Sequence, residues 1–391
     1  MILSFVFSLM VAKVFGQSDL SGMHDEENVN KHSVVIPDSN FVIASLLIAD
    51  PGDFMYSTLG HAAIRLQCPT YNLDYCYTYE SEFSSNRMLD FFAGNLKMGM
   101  FALTLDEYCE SYKSEGRGIT EYLFNLPIEV KQELWRVLDE RLMEGASLPY
   151  DYYHRGCAVS CVNNIEQALG NITIQYDSMF LEQNYTVKEL WKEYTQKAPW
   201  ISFFLYFISG GNEVDLPQTR RERLIVPIVL AEEWQKATID GRPLLASTPT
   251  ILLEGEPKYF EGWFTPMLLA ILLLLISIVN IFIKPSYITY FMLAIQTIVG
   301  IGMFYLIFIS DLCCTTWNWL FVLFNPFPML FWYWRKYWML PYAALLSVWL
   351  IWMLCVPHMI IDVPHIIITL AYILIYIKPS LVNIVECKIR K

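Results

Sequence analysis

From residue 263 to residue 378 the chain is almost continuously apolar, and no water-soluble surface can be made from such a run. Five stretches in it, 263–283, 286–310, 316–334, 338–357 and 359–377, are each long enough to cross ~30 Å of hydrocarbon as a helix. The connections alternate in charge. Lys284, then Arg335 and Lys336, then Lys378, Lys388, Arg390 and Lys391 fall at one set of ends, while Asp311 and Asp362 fall at the other. Basic loops stay in the cytoplasm, so the pattern predicts a five-helix transmembrane domain with a cytoplasmic C-terminus and everything before residue 263 outside. Trp317, Trp319, Trp332, Trp334 and Trp338 cluster where indole rings favour the interface, a substrate-binding stack being the alternative. "NPFPML" interrupts the third span, and "IDVPHI" sets Asp362 and His365 near the outer mouth of the fifth. Ionisable groups at membrane depth are candidates for binding substrate or a lipid headgroup, although these two are close enough to the surface to be simply wet. The helices carry neither an internal repeat nor a charged pathway, which argues against a transporter.

The remainder reads as a mixed-charge domain. The apolar part carries 7 Lys/Arg and 3 Asp/Glu, leaving 20 and 36 in front of it, so nucleic acid is an unsuitable partner. The first residues, "MILSFVFSLMVAKVFG", form a short apolar run ending in small residues and read as a secretory signal over 1–16. The expected organisation is thus a signal peptide, an extracytoplasmic domain over 17–262, membrane helices over 263–378 and a cytoplasmic tail over 379–391.

Inside the domain, "SNFVIASLLIAD" reads as a buried strand followed by a Pro-Gly turn. "HAAIRLQC" alternates, placing His61, Ala63 and Arg65 on one face and Ala62, Ile64 and Leu66 on the other. "YCYTYESEF" pairs back as a hairpin, with Cys68 and Cys76 at a spacing that a disulfide across the turn could span. "PIEVKQELWRVLDERLMEG" is a helix with Val130, Leu134, Leu138 and Leu142 on one face. "CAVSCVNNIEQALG" begins a helix at or just before Cys157 and stops at Gly170, making an α+β domain.

A helix N-terminus favours a thiolate, which marks Cys157 as a candidate nucleophile. Of the six histidines, His24 and His32 lie in a polar leader, His358 and His365 at the membrane, and His154 in an aromatic turn; His61 alone sits on a strand. A Cys–His pair with the base on a strand and the nucleophile opening a helix is the papain-like arrangement. Inert packing is the plain alternative for any one cysteine. Zinc held by His154, Cys157 and Cys161 lacks a fourth ligand at usable spacing, so no metal is expected. Cys161, one turn on, reads as packing or as a partner of Cys109, since a bridge to Cys157 within one helix has poor geometry.

"DPGDFMYSTLGHAAIRL", "YTYESEF", "FFAGNLKMGMFALTLDEYCESYKSEGRGITEYLFNLP" and "YDYYHRGCAVSC" together resemble, in order and spacing, the extracytoplasmic domain of the Lnb-type proteins of Bacteroidetes. The likeness runs on through "GGNEVDLPQTRRERLIVPIVLAEEWQKA" and "GRPLL", covering about residues 41–247. The resemblance implies a papain-like fold of the permuted cysteine peptidase and lipid acyltransferase kind, and an enzyme of the bacterial inner membrane with its catalytic domain in the periplasm. It implies lipoprotein N-acylation: an acyl chain leaves a phospholipid, passes through a cysteine thioester and reaches the α-amine of a diacylated lipoprotein, without a cofactor. Cys157 and His61 then take the nucleophile and base positions, and Arg65 falls on the family's strand arginine as a substrate-binding candidate. Two departures stand out. Arg155-Gly156 replaces the family's Asp-Asn before the nucleophile, and Thr78-Tyr79-Glu80 replaces its Asn-Tyr-Gly, leaving Tyr79 and Glu80 as candidates for orienting His61 or serving the oxyanion. The competing readings are a Cys–His hydrolase acting on cell wall or lipid ester, and a non-enzymatic receptor or assembly factor on a degenerate papain-like domain.

Overall fold

The computed structural model describes residues 42–81, 87–145, 147–182, 184–246, 248–256, 262–283, 287–356 and 361–389. The expected signal segment, Lys284, His24, His32 and His358 lie outside them. The described residues divide into two units, one formed by those up to Met88 with Lys97–Phe180 and those from Leu224 to residue 256, the other by Leu89–Leu96, Leu181–Arg223 and those from residue 262 onward.

The first unit is built on an antiparallel sheet, which bears out the α+β expectation. Its strands are β1 (Ile43–Ala49), β2 (His61–Cys68), β3 (Leu73–Ser81), β4 (Lys97–Thr104), β5 (Ile119–Leu123) and β6 (Leu148–Pro149). A two-stranded hairpin, β7 (Thr238–Ile239) with β8 (Arg242–Pro243), precedes β9 (Thr250–Leu253). The seven-stranded order is β6-β4-β3-β2-β1-β5-β9. All seven residues of β1 are buried, because both faces of the sheet are covered. Helices α2 (Ile128–Met143), α3 (Cys157–Leu169) and α4 (Pro227–Lys236) cover one face, burying Leu134, Ile165 and Trp234 with Leu46, Ile64 and Leu66. Helix α1 (Leu105–Ser114) covers the other, packing Tyr108 and Tyr112 with Leu47, Ala63 and Cys76. The α3 residues that reach the core, Ala158, Cys161, Val162, Ile165 and Leu169, recur at helical spacing.

The ladder corrects the expected disulfide. Arg65 pairs with Cys76, and Cys68 with Leu73. Positions 65 and 68 are an odd number of residues apart, so the two thiols leave the sheet on opposite faces, and both are free. The same partition separates Cys109, on the α1 face, from Cys161 on the α3 face; both are free thiols, and Cys161 is core packing.

Among the described residues of the second unit, two helices are long and apolar enough to cross a membrane, Tyr287–Phe308 and Trp332–Cys355. Pro266–Phe282 and Val363–Pro379 are apolar but shorter. The segment expected as a third span is broken into Trp319–Val322, Phe327–Leu330 and Trp332–Trp334. Pro326 and Pro328 remove backbone donors there, and Asn325 bonds Val322 O and the Tyr342 hydroxyl instead of continuing a helix. The second core combines these helices with Phe203 and Phe207 from Pro199–Ile208.

Gly60, the residue before β2, has φ +89°, and a Cβ there would stand 2.8 Å from the Ala49 carbonyl oxygen. Gly60→Ala therefore meets both backbone strain and a clash with main chain that cannot step aside. The expected outcome is a loss of roughly 1–3 kcal/mol, read from the denaturant midpoint, together with slower alkylation of Cys157 because His61 is displaced.

Candidate active site

Cys157 is the first residue of α3. Its N-cap, Gly156, is extended (φ −126°, ψ 176°) and offers no side chain to the first helical N–H groups. The preceding turn is tied by the Asp151 carboxylate, which accepts from the backbone N–H groups of Tyr153, His154 and Arg155. That leaves the N–H groups at the helix start for the sulfur. The Cys157 thiol is pushed up by burial, and the backbone N–H groups of Ala62, Ala158 and Cys157, with the charge of Arg117, pull it back. One of these donors belongs to β2, so the packing of α3 against β2 brings the nucleophile to the strand that carries His61.

His61 opens β2 and its Nε2 lies 2.7 Å from Thr78 Oγ1 on β3. Ala63 pairs with Thr78, so the two side chains leave neighbouring strands on the same face. Thr78 is fully buried. The imidazole is held neutral, its pKa lowered to about 3, first by burial and then by the Arg117 charge. With Nε2 occupied by Thr78, Nδ1 is the nitrogen left to take a proton. The Tyr112 ring lies beside it, centroids 6.1 Å apart, and the Arg117 guanidinium stacks on the same ring at 4.6 Å.

The other candidates separate from this pair. Tyr79, next to Thr78, points to the opposite face and is core; Asn164 and Arg141 bond its hydroxyl. Glu80 returns to the His61 face, and burial raises its carboxyl, with the Arg87 charge opposing. Its register therefore places it at the site, while the contact to His61 is made by Thr78. Arg65 is not free to bind substrate. Its Nε and Nη2 grip Asp74 at 2.7 and 2.6 Å, and its Nη1 reaches Glu121 at 2.9 Å; Ser45 also donates to Glu121. His154 is largely exposed and its Nδ1 lies 3.6 Å from Asp151. Asp362 and His365 fall in the second unit. There Asp362 accepts from Val363 N at a helix start, and His365 stacks on Phe203 with centroids 4.2 Å apart. Both line a cavity of about 10 Å³ with Lys188, Tyr206, Asp215 and Asn318, and Lys188 and Asp215 form a buried ion pair at 2.6 Å.

Thr78, Tyr112 and Arg117 were not read as site residues from the sequence. Strand alternation could have found Thr78, because it shares the His61 face. Residues 37–193 match the family model described as the Lnb N-terminal periplasmic domain. That segment is an Lnb-type domain. The Lnb-type segment contains His61, Thr78, Tyr112, Arg117 and Cys157, and the family's domain is periplasmic. No curated protein and no solved structure matches the chain. Among the family departures, Gly156 causes no strain: a Cβ there meets nothing within 4 Å, and its φ is ordinary extended backbone.

His61 also sets a pH dependence. Its folded pKa lies below the unfolded value of 6.5, so between the two the unfolded chain binds more protons and stability rises with pH. This contribution is present above pH 6.5 and is lost as pH falls toward 3. Unfolding free energy is expected to drop by up to about 1.4 kcal/mol per pH unit across that window, and His61→Asn is expected to flatten the slope in denaturant titrations.

Proposed function

We propose that this protein is a lipoprotein N-acyltransferase. Its first substrate is a membrane phospholipid and its second the α-amino group of a diacylglyceryl-modified N-terminal cysteine. The observation that carries this reading is a buried sulfur at a helix start, its charged form favoured by the backbone N–H groups of Ala62, Ala158 and Cys157, with the neutral His61 next to Ala62 on β2, within an Lnb-type periplasmic domain. The apolar helices then hold the domain at the outer face of the cytoplasmic membrane, in a multi-pass arrangement with the C-terminus inside. Both substrates lie in that surface, which gives the helices a purpose that a soluble-substrate peptidase lacks.

The mechanism follows from the residues. In the tautomer whose Nε2–H donates to Thr78 Oγ1, 2.7 Å away, His61 takes the Cys157 proton on Nδ1. The sulfur attacks the acyl ester, and the electron pair of the carbonyl moves to its oxygen near the α3 N-terminus. Collapse expels the lysophospholipid alkoxide, which takes the proton from His61. The thioester is then attacked by the acceptor amine, which gives its proton to His61, and the restored thiolate leaves. An amine attacks a thioester far more readily than an oxygen ester, so two accessible steps replace one difficult step.

The test is to express the gene in cells depleted of their own lipoprotein N-acyltransferase and read lipoprotein N-termini by mass spectrometry. Wild-type protein is expected to add a third acyl chain, Cys157→Ala and His61→Ala to abolish it, and His154→Ala to retain it. Free fatty acid without N-acylation would favour the hydrolase instead. Loss with His154→Ala and retention with His61→Ala would overturn the base assignment.

A further inference from the structure

Helix α1 ends at Ser114, and the chain turns through "EGRG" into β5, carrying Arg117 into the interior. Arg117 is 5% exposed. Its Nε donates to the Asp50 carbonyl oxygen at 2.6 Å and its Nη1 to Glu115 at 3.0 Å, while its face rests on Tyr112. Its Nη2 has no hydrogen-bond partner among the described residues. A buried donor left unmet is costly, and this one belongs to a cation whose charge bears on both Cys157 and His61. Tyr112 links the three groups, lying between the guanidinium and the imidazole and near enough to Cys157 for the thiol's charge to raise its own ionisation. Other ionisable neighbours include Glu115, which pairs with Nη1, Tyr56, which donates to Glu115 and feels the Arg117 charge, and Glu80, which feels the Arg87 and Arg117 charges.

We propose that Arg117 Nη2 and the first N–H groups of α3 together form the oxyanion subsite, with Arg117 as the catalytic side-chain donor to the acyl carbonyl oxygen. The role rests on the acyl-transfer reading above. As the Cys157 Sγ–C bond forms, the carbonyl π pair moves onto the oxygen, and the unmet Nη2 protons supply the bonds that this oxygen gains. When the tetrahedral species collapses, C=O re-forms and the alcohol oxygen leaves. The anchors to the Asp50 carbonyl and Glu115 fix the guanidinium beforehand, so no reorganisation accompanies the charge development. A guanidinium directed along two fixed bonds is not replaced by an ammonium, which lacks the fork.

The experiment uses the full-length protein in detergent and two probes of the same sulfur. Acylation of Cys157 by a short-chain p-nitrophenyl ester, followed by intact mass, passes through an oxyanion; the displaced phenolate leaves and the thiol proton goes to solvent through His61. Alkylation by iodoacetamide passes through no oxyanion. Arg117→Gln is expected to slow acylation by about 100-fold while alkylation falls by less than about tenfold. Arg117→Lys, which keeps the buried charge, is expected to slow acylation at least tenfold with alkylation near wild type. Equal slowing of both reactions by both variants, or acylation at the wild-type rate, would overturn the role. Wild-type protein that is alkylated at Cys157 but never acylated would instead overturn the acyl-transfer reading, and with it this subsite.

Discussion

The convergence of backbone donors on one sulfur is the constraint on which the site depends. Cys157 Sγ takes N–H groups from Ala158 and its own residue at the start of α3 and from Ala62 on β2, so helix and strand must be docked before the thiol is placed. Docking is supplied by Ala158, Cys161, Val162 and Ile165 in one apolar core with Ala62, Ile64 and Leu66. Small side chains at Ala62 and Ala158 let the backbones come close. The consequence is a nucleophile whose reactivity is bound to the integrity of the sheet, with burial raising the thiol and local dipoles opposing it.

Much of this was legible in the sequence because it is local. Period-two alternation in "HAAIRLQC" separates the His61 face from the core face, and "CAVSCVNNIEQALG" reads as a helix that begins at or just before Cys157; the ladder and α3 agree with both. What was misread depends on partners far away in the chain. Arg65 shares the His61 face, but its role is decided by Asp74 across the hairpin and Glu121 on β5, which turn it into a buried ion network. Its removal would leave the buried Glu121 carboxylate without its cation, so the charge at Arg65 is a matter of stability. Cys68 and Cys76 flank a turn at a plausible spacing, yet a single step of register sends them to opposite faces. Arg117 could not be found locally at all. It reaches the site only because β5 pairs with β1 and returns the "GRG" turn to Asp50.

The C-terminal half teaches a different lesson. Hydropathy counts apolar residues without asking where the backbone bonds go, so 316–334 scores as a span although its two prolines and its asparagines divide it into short turns. Within the same unit Asn280, Thr289, Gln296, Tyr376 and Lys378 bond among themselves and to carbonyl groups, which is how polar side chains are accommodated among apolar helices. Asp362 and His365, singled out in the sequence as ionisable groups at membrane depth, line a cavity with a buried ion pair in this unit.

The central claim is that Cys157 receives an acyl chain from a bilayer phospholipid. Its most direct measurement is to incubate the purified protein with vesicles of a phospholipid bearing isotope-labelled acyl chains, omit any acceptor, and map the label by peptide mass spectrometry before and after hydroxylamine. The account predicts a labelled, hydroxylamine-labile acyl group on the peptide containing Cys157, with Cys161 unmodified and release of one lysophospholipid for each adduct. A label on Cys161 or on another residue, or a hydroxylamine-resistant adduct, would contradict it.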